Sequence, residues 1–142
     1  MTEYIPPALD WVRRQVELYE GSGGTEGTTR KGFPCIIVTH VGVKTGAIRK
    51  IPLIRVSVDK GYVLIGSYAG SPKHPVWVYN LRASPKVEIR DQTEVFKMRV
   101  REVVNDPERQ YLWEASAKVF PSYIEYQART SRQIPMFLAE PV

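Results

Sequence analysis

Apolar residues recur at helical spacing at the start of the chain and in strand-like runs further on, which predicts a helix followed by strands. Residues 6–20 are predicted to form the helix, with Pro6 or Pro7 in its first turn and Asp10 near the positive end of the helix dipole. Several glycines follow directly. They predict that the helix ends there and that residues 21–32 form a mobile linker.

Apolar runs separated by turn residues predict the central strands. Residues 34–41 are mostly apolar and are expected to form a strand that is buried on both faces. Residues 48–58 and 62–67 are predicted to form a hairpin that turns at residues 59–61. Pro52 has no N–H group to donate, so it is expected at a bulge or on an edge strand.

The rest of the chain is predicted to alternate between helices and strands. The strands cover residues 86–90, 95–104 and 134–140; the helices cover residues 75–82, residues 107–119 with Asn105 or Asp106 as the cap, and a short segment that Pro121 opens. Five or six short strands with helices between them predict an α+β fold, a small antiparallel barrel with flanking helices. We divide the chain into an N-terminal helix and linker, residues 1–29, and a single barrel domain, residues 30–142.

Cysteine content and hydropathy predict a cytoplasmic protein. The single Cys35 excludes an internal disulfide, lies in an apolar run, and is expected to be a small buried core residue. No apolar run approaches the roughly 18 residues that a membrane span needs. The N-terminus shows no secretory signal pattern. Peripheral contact with the inner face of the membrane is an alternative because Trp11 and Leu18 lie beside the main apolar stripe of the first helix.

Positive charge is concentrated in the middle of the chain. The net charge is +5, but residues 30–90 alone carry +9, while residues 1–29 carry −3. The negative N-terminal segment disfavours attraction to anionic lipid. The central excess favours an anionic partner, either a phosphorylated or polycarboxylate small molecule, nucleic acid or an acidic lipid, unless it is simply a solvated basic face. No nucleic-acid-binding module is recognisable, so nucleic acid is not expected as a partner.

Several familiar kinds of site are missing from the sequence. His40 and His74 are far apart and have no cysteine or carboxylate at metal-ligand spacing, so no metal site is expected. His40 lies in a predicted strand and is expected to be structural. The chain has no Walker loop, no Ser-His-Asp signature and no GxGxxG fingerprint. A nucleotide cofactor, if bound, is therefore not held in the Rossmann manner.

Three groups of residues are the candidates for chemistry. Lys44 and Arg49 flank a glycine-containing turn, where backbone N–H groups can bind an anion, although many hairpins are basic for no such reason. Trp77 lies three residues before Asn80, so an aromatic ring and an amide share one helical face; the ring can equally be a core anchor. Tyr123 precedes Tyr126 by three residues, which predicts either a packing stripe or a pocket wall whose hydroxyls orient or protonate a substrate.

Three motifs resemble those of the deazaflavin-dependent nitroreductases, actinobacterial enzymes that use coenzyme F420. Residues 42–49 are similar to the GRKTGxxR turn of that family, and residues 66–85 to its ASxGGxxxxPxWxxNLxAxP block. Residues 120–135 resemble the YPxYxxYQxxTxRxIP tail of the nitroimidazole-activating mycobacterial member. The likeness covers about residues 30–142. Two positions differ: Phe120 replaces the first tyrosine of the tail, and Val43 replaces an arginine of the turn.

The resemblance implies a split β-barrel that holds F420 and presents an acceptor to it. Lys44, Thr45 and Arg49 are implied to hold the phosphate and oligoglutamate tail of the coenzyme. The deazaflavin ring is implied to lie against Ile65, Gly66, Ser67 and Tyr68, with Trp77 and Asn80 nearby and with Lys50, Ile54 and Val76 completing the coenzyme site. Ser67, Tyr123 and Tyr126 are implied to line the substrate side and to be catalytic. Loss of one hydroxyl at Phe120 bears on activity toward bicyclic nitroimidazoles.

The expected function is therefore hydride transfer from reduced F420 to a small-molecule acceptor, which is a quinone, an enone or a nitro compound. A tyrosine hydroxyl or Ser67 would supply the proton or bind the developing oxyanion. Two alternatives stay open: an FMN-dependent enzyme of the same barrel class, and a non-catalytic protein that binds or stores F420. Nothing in the sequence sets the oligomeric state.

Overall fold

Eight strands form one curled antiparallel sheet in residues 3–59 and 61–142, the parts of the chain that the computed structural model describes. They are β1 (Thr29–Arg30), β2 (Phe33–Val41), β3 (Ile48–Ile54), β4 (Ser57–Val58), β5 (Gly61–Ile65), β6 (Lys86–Asp91), β7 (Glu94–Glu102) and β8 (Met136–Pro141). Hydrogen-bonded neighbours follow the order β1-β2-β6-β7-β8-β5-β4, and β3 also pairs with β2. The predicted α+β fold with a small antiparallel barrel is confirmed.

Four helices accompany the sheet: α1 (Asp10–Gly21), α2 (Val76–Ala83), α3 (Glu108–Val119) and α4 (Ser122–Ala128). The placement of Pro6 or Pro7 in the first turn of α1 is wrong. Backbone hydrogen bonds of Glu3 and Ile5 to Ile48 hold the preceding segment against β3, so the helix begins only at Asp10. No helix in these described segments is long and apolar enough to cross a membrane. Peripheral contact stays a prediction.

The cap of α3 also differs from the expectation. Neither Asn105 nor Asp106 caps the helix with its side chain; Pro107 occupies the cap position, and the backbone carbonyl of Asn105 accepts from the N–H of Arg109. The helices α2, α3 and α4 otherwise begin within one or two residues of their predicted starts.

The structure has two strands, β3 and β4, where one strand was predicted over residues 48–58. Only the second of them forms the predicted hairpin with β5. β3 pairs with β2 along its whole length, from Cys35 opposite Ile54 to Val41 opposite Ile48, and only the short β4 pairs with β5. Lys60, in the predicted turn, lies outside the described residues. β3 has no ladder except with β2 in the described chain, so the expectation that Pro52 lies on an edge strand is confirmed.

The segment predicted as a mobile linker, residues 21–32, contains a hydrogen-bonded turn and the strand β1. The Ser22 hydroxyl accepts hydrogen bonds from the N–H groups of Thr25 and Glu26. Gly24 has a φ of 90°, and a Cβ there would lie 1.8 Å from the carbonyl oxygen of Gln92. Glycine is needed here for close backbone approach between the end of α1 and the β6–β7 turn. At least one of the glycines thus serves a close backbone contact, and the mobility of the segment stays a prediction.

Apolar side chains fill both sides of β5 and β8. Leu64 and Phe137 belong to the cluster that packs against α2, whereas Val63 and Met136 belong to the cluster beneath α3 and α4. Helix α1 adds a third cluster, in which the side chain of Cys35 is buried as expected. The α1, α2 and α4 helices are thereby fixed around the sheet, and one cavity opens between them.

Candidate active site

A cavity of about 330 Å³ lies where β3, the end of β5 and the three helices meet. Its walls are Leu9, Trp11, Val12, Arg30, Lys31, Cys35, Ile51, Pro52, Leu53, Ile54, Ile65, Ser67, Tyr68, Ala69, Pro75, Trp77, Phe120, Tyr123 and Tyr126. The volume falls in the range of about 300–1,000 Å³ that is usual for small-molecule sites, and the walls are mainly apolar, as such sites usually are.

The cavity brings together half of the residues that were predicted as the site. Those lining it are Ser67, Tyr123, Tyr126, Ile54, Ile65, Tyr68 and Trp77; those not lining it are Lys44, Thr45, Arg49, Lys50, Gly66, Val76 and Asn80. All three predicted catalytic side chains thus face one space. The predicted cations do not. Whether any of these residues binds a ligand stays a prediction.

An aromatic stripe forms the wall contributed by α4 and by Phe120, which lies two residues before that helix. The Phe120 ring lies 5.0 Å from that of Tyr123 and 6.1 Å from that of Tyr126, measured between centroids. Burial raises the pKa of Tyr123 above its ordinary value. This hydroxyl therefore stays protonated and is suited to donate a hydrogen bond rather than to release its proton.

Arg132 organises the loop that carries Ser67. Its guanidinium donates to the carbonyl oxygens of Gly66 at 3.2 Å, Ser67 at 2.7 Å and Ser71 at 2.8 Å. A fourth contact, 2.9 Å long, joins it to Nδ1 of His74. Burial and the neighbouring guanidinium lower the pKa of His74, so the neutral ring can accept this hydrogen bond. In the sequence Arg132 stands out only as a position of the tail motif, which does not reveal this role.

The same loop has a constrained backbone. Tyr68 and Ala69 have φ values of 46° and 53°, in the left-handed region that non-glycine residues rarely adopt. Gly70 follows with a φ of 77°, and a Cβ on it would lie 2.7 Å from the carbonyl oxygen of Tyr126. Such outliers persist only where surrounding contacts hold them, and they cluster at functional sites. Arg132 and α4 supply those contacts here.

Trp77 and Asn80 share one face of α2, as predicted, and both are buried. Trp77 packs against Phe137, with ring centroids 6.0 Å apart, and also lines the cavity, so it is both a core residue and a wall. The Oδ1 atom of Asn80 accepts a hydrogen bond of 2.9 Å from the N–H of Val43. The amide therefore fixes the basic turn to α2.

The basic turn is separate from the cavity wall. The Thr45 hydroxyl accepts from the N–H of Ala47 at 3.1 Å, and Lys44 is exposed. Lys50 forms an ion pair with Glu20 at 2.6 Å, which holds α1 against β3. Lys50 is thus already paired within the protein, whereas the side chains of the turn itself point to a more open surface.

Two cations that sequence analysis did not single out line the cavity instead. They are Arg30 and Lys31, and none of the lining residues is a carboxylate. The Arg30 guanidinium lies 4.1 Å from the centre of the Trp11 ring, a cation–π contact. One feature of the sequence points to Arg30: the segment with a net charge of +9 begins at this residue. Leu9 and Val12 were missed because α1 was treated as separate from the barrel.

Among the residues that the structure describes, the two histidines lie apart from other metal-ligating side chains. Burial lowers the pKa of His40 to about 4, and its Nδ1 lies 3.3 Å from the carbonyl oxygen of Val38, which fits the expected structural role. Within the described segments, no three His, Cys, Asp or Glu side chains cluster in a way that could hold a metal ion.

Comparison with known proteins identifies the family. The family model described as F420H(2)-dependent quinone reductase matches residues 11–141. The chain belongs to the F420H(2)-dependent quinone reductase family. An F420H(2)-dependent quinone reductase of Mycobacterium tuberculosis is 33% identical over 138 residues, which cover 89% of this chain and 93% of that protein. The resemblance to deazaflavin-dependent enzymes is confirmed.

Solved structures agree with this assignment. A structure described as an F420-H2 dependent reductase is 37% identical, with a TM-score of 0.71 over 75% of this chain and 94% of that chain. Another, described as a domain-swapped dimer, is also 37% identical, with a TM-score of 0.74 over 92% and 98% of the two chains. A heme storage protein of Vibrio cholerae shares only the fold, at 17% identity and a TM-score of 0.58 over 87% of each chain. The predicted split β-barrel is confirmed.

The residues of this quinone reductase family member fit F420. Trp77, Ile65 and Ile54 provide an apolar wall for a flat ring, and the cavity carries positive charge without carboxylates. The exposed basic turn, one helical turn along α2 from Trp77, offers a place for an anionic tail outside the cavity. An FMN-dependent enzyme, the alternative considered from the sequence, is not what the family comparison indicates.

Proposed function

We propose that this protein reduces a quinone with reduced F420 in the cavity between β3, α1, α2 and α4. The observation that carries the proposal is an apolar cavity with hydroxyl groups and uncompensated cations, in a chain that matches the quinone reductase family over nearly its whole length. F420H(2), when bound, supplies a hydride. In the balanced reaction the quinone gains this hydride and one proton and becomes a hydroquinone, while the coenzyme returns to F420.

The protein's own residues bind and orient the two reactants. Ile65, Ser67, Tyr68 and Trp77 would hold the ring, because they form the apolar wall beside the polar loop edge. Lys44, Thr45 and Arg49 would hold the anionic tail on the open surface, where Asn80 positions the turn. The apolar walls would limit the access of water to the reactants and favour hydride transfer over side reactions.

Hydroxyl groups would manage the charge that develops on the acceptor. Tyr123 is buried and stays protonated, so we assign it as the donor of a hydrogen bond to the oxygen that becomes negative. Tyr126 is only half-buried and lies 6.4 Å from Tyr123 between ring centroids, so it is the better placed to pass a proton from solvent. Ser67 would donate from the neighbouring loop, which packs against α4.

The proposal is tested by binding and turnover with purified protein. We expect F420 to quench the fluorescence of the cavity tryptophans with saturable affinity, and reduced F420 to be oxidised only when menadione is added. FMN, titrated in parallel, should bind much more weakly. Saturable binding of F420 without oxidation across quinones, enones and nitro compounds would instead identify a binding or storage protein, and tighter binding of FMN would contradict the choice of coenzyme.

A further inference from the structure

We propose that Arg30, held over Trp11, binds the carbonyl oxygen of the acceptor at the end of the cavity remote from the basic turn. The inference rests on the proposed function and deepens it, because it assigns a specificity-determining residue for the quinone. Arg30 and Trp11 come from β1 and α1, outside the motifs that pointed to the coenzyme.

The positions of the cations along β2 separate two ends of the site. Arg30 pairs with Phe33 at the start of β2, whereas the basic turn follows Val41 at its end. Val41 follows Cys35 by six positions along the strand, and at about 3.4 Å per residue the two ends are roughly 20 Å apart. β3 runs antiparallel beside this stretch, and its residues Ile51–Ile54 line the cavity. A ligand pair lying along β3 therefore meets positive charge at each end.

Within residues 3–59 and 61–142, Arg30 has no carboxylate partner of its own, and it lies on the wall of the cavity. Arg55, Arg82 and Arg101 each form an ion pair with a carboxylate. In the described parts of the chain, Arg30 and Lys31 take part in no ion pair, and no Asp or Glu lines the cavity that they face. The Trp11 ring, 4.1 Å away, restricts the guanidinium without consuming its hydrogen-bond donors. An oxygen-rich or anionic ligand would satisfy them.

The acceptor is a better partner for this group than the coenzyme tail. Hydride transfer leaves negative charge on the quinone oxygen, and a cation held beside that oxygen stabilises the charge. The Arg30 side chain is exposed, so water competes for its donors in the absence of a ligand. The wall around Arg30 is apolar, formed by Leu9, Trp11 and Val12, which suits a quinone ring and not a polyanionic tail. The tail has an open, basic surface at the other end of β2.

The experiment separates acceptor binding from coenzyme binding. Arg30→Met keeps much of the side-chain length but removes the guanidinium, Arg30→Lys keeps the charge, and Lys44→Ala tests the opposite end. Arg14→Ala, an exposed arginine of α1, is the matched control. Calorimetry measures the Kd of menadione with oxidised F420 present, so that no turnover occurs, and fluorescence quenching measures the Kd of F420; steady-state kinetics gives the KM for menadione.

We expect Arg30→Met to raise both the Kd and the KM of menadione about tenfold or more, since a hydrogen bond from a charged donor is lost. The Kd of F420 should change less than twofold, and Arg30→Lys should recover part of the loss. Lys44→Ala should raise the Kd of F420 and leave the Kd and KM of menadione nearly unchanged. Arg14→Ala should change none of these values. An F420 Kd that rises as much as the menadione Kd would overturn the inference in favour of a coenzyme contact.

Unchanged menadione binding in Arg30→Met would also overturn it. Failure of the proposed function looks different: the parent protein would then not oxidise reduced F420 with menadione, whatever residue 30 is.

Discussion

Replacing Arg132 with Met should disorganise the loop that carries Ser67 and so lower both stability and turnover. The guanidinium donates to three backbone carbonyls of residues 66–71 and contacts His74, all within 2.7–3.2 Å. Methionine keeps the aliphatic stem but offers none of these donors. The loop also contains two residues with left-handed φ values, which depend on surrounding contacts to persist.

The magnitude follows from the hydrogen bonds that are lost. A hydrogen bond from a charged donor contributes about 1.5–3 kcal/mol. Arg132 is half-buried, so water can replace part of what is lost, and contacts that share one side chain are not additive. We expect the free energy of unfolding to fall by about 2–4 kcal/mol, which lowers the Tm by roughly 10 °C for a chain of this size. A displacement of the loop by about 1 Å should lower kcat/KM on the order of 10²-fold.

Thermal unfolding and steady-state kinetics, the latter well below the Tm of every variant, measure the two effects. Arg129→Met is the matched control, because Arg129 is exposed and donates only one bond, of 3.5 Å, to the carbonyl oxygen of Ala69. The free energy of unfolding of Arg129→Met should fall by less than about 1 kcal/mol. Arg132→Lys should have a stability and a turnover between those of Arg132→Met and Arg129→Met. If Arg132→Met unfolds and turns over like the Arg129 control, then the loop is held by its own packing and the reasoning is wrong.

Three further predictions address other parts of the site. Tyr123→Phe should lower turnover of menadione on the order of 10²-fold while the Kd of F420 stays the same, because only the hydroxyl is removed; parent-like turnover would make the aromatic stripe mere packing. Trp77→Ala should lower the free energy of unfolding by about 3–5 kcal/mol in denaturant titrations and weaken F420 binding; a variant normal in both would contradict both assigned roles. Because burial lowers the pKa of His40 to about 4, the unfolded chain binds more protons below pH 6.5, so stability should decline as pH falls from about 6.5 to 4 by up to about 3 kcal/mol. His40→Asn should show a shallower decline over that range, and an equal slope would show that other groups cause it.

Local signals in the sequence predicted the helices and most strands. Pro75 and Pro121 precede α2 and α4, because proline suits the start of a helix wherever the chain later packs. The prediction of a single strand over residues 48–58 was wrong because the partners with which a strand pairs decide where it ends. β3 follows β2 across the basic turn, and the chain then leaves to meet β5. Hydrophobic periodicity carries no information about such a change of partner.

Site residues that belong to the sequence motifs could be predicted. Residues that reach the site from distant segments of the chain could not. Ser67, Tyr123 and Tyr126 were found because the motifs that contain them line one cavity. Arg132 reaches back to a loop about 65 residues earlier, and Arg30 lines the cavity together with residues of α1 and β3. Such meetings depend on tertiary packing, which spacing along one chain does not reveal.

The hydrogen bond from the N–H of Val43 to Asn80 has a consequence for the length of ligand that the protein can accept. Trp77 and Asn80 are three residues apart on one helix, a rise of about 4.5 Å. Because α2 is rigid, the distance between the wall that would hold a ring and the turn that would hold a tail is fixed. A molecule too short to reach both would lose one of them, whereas extra units beyond the turn would lie in solvent and add little. With these assignments, α2 would favour coenzymes long enough to reach both places and would tolerate longer tails.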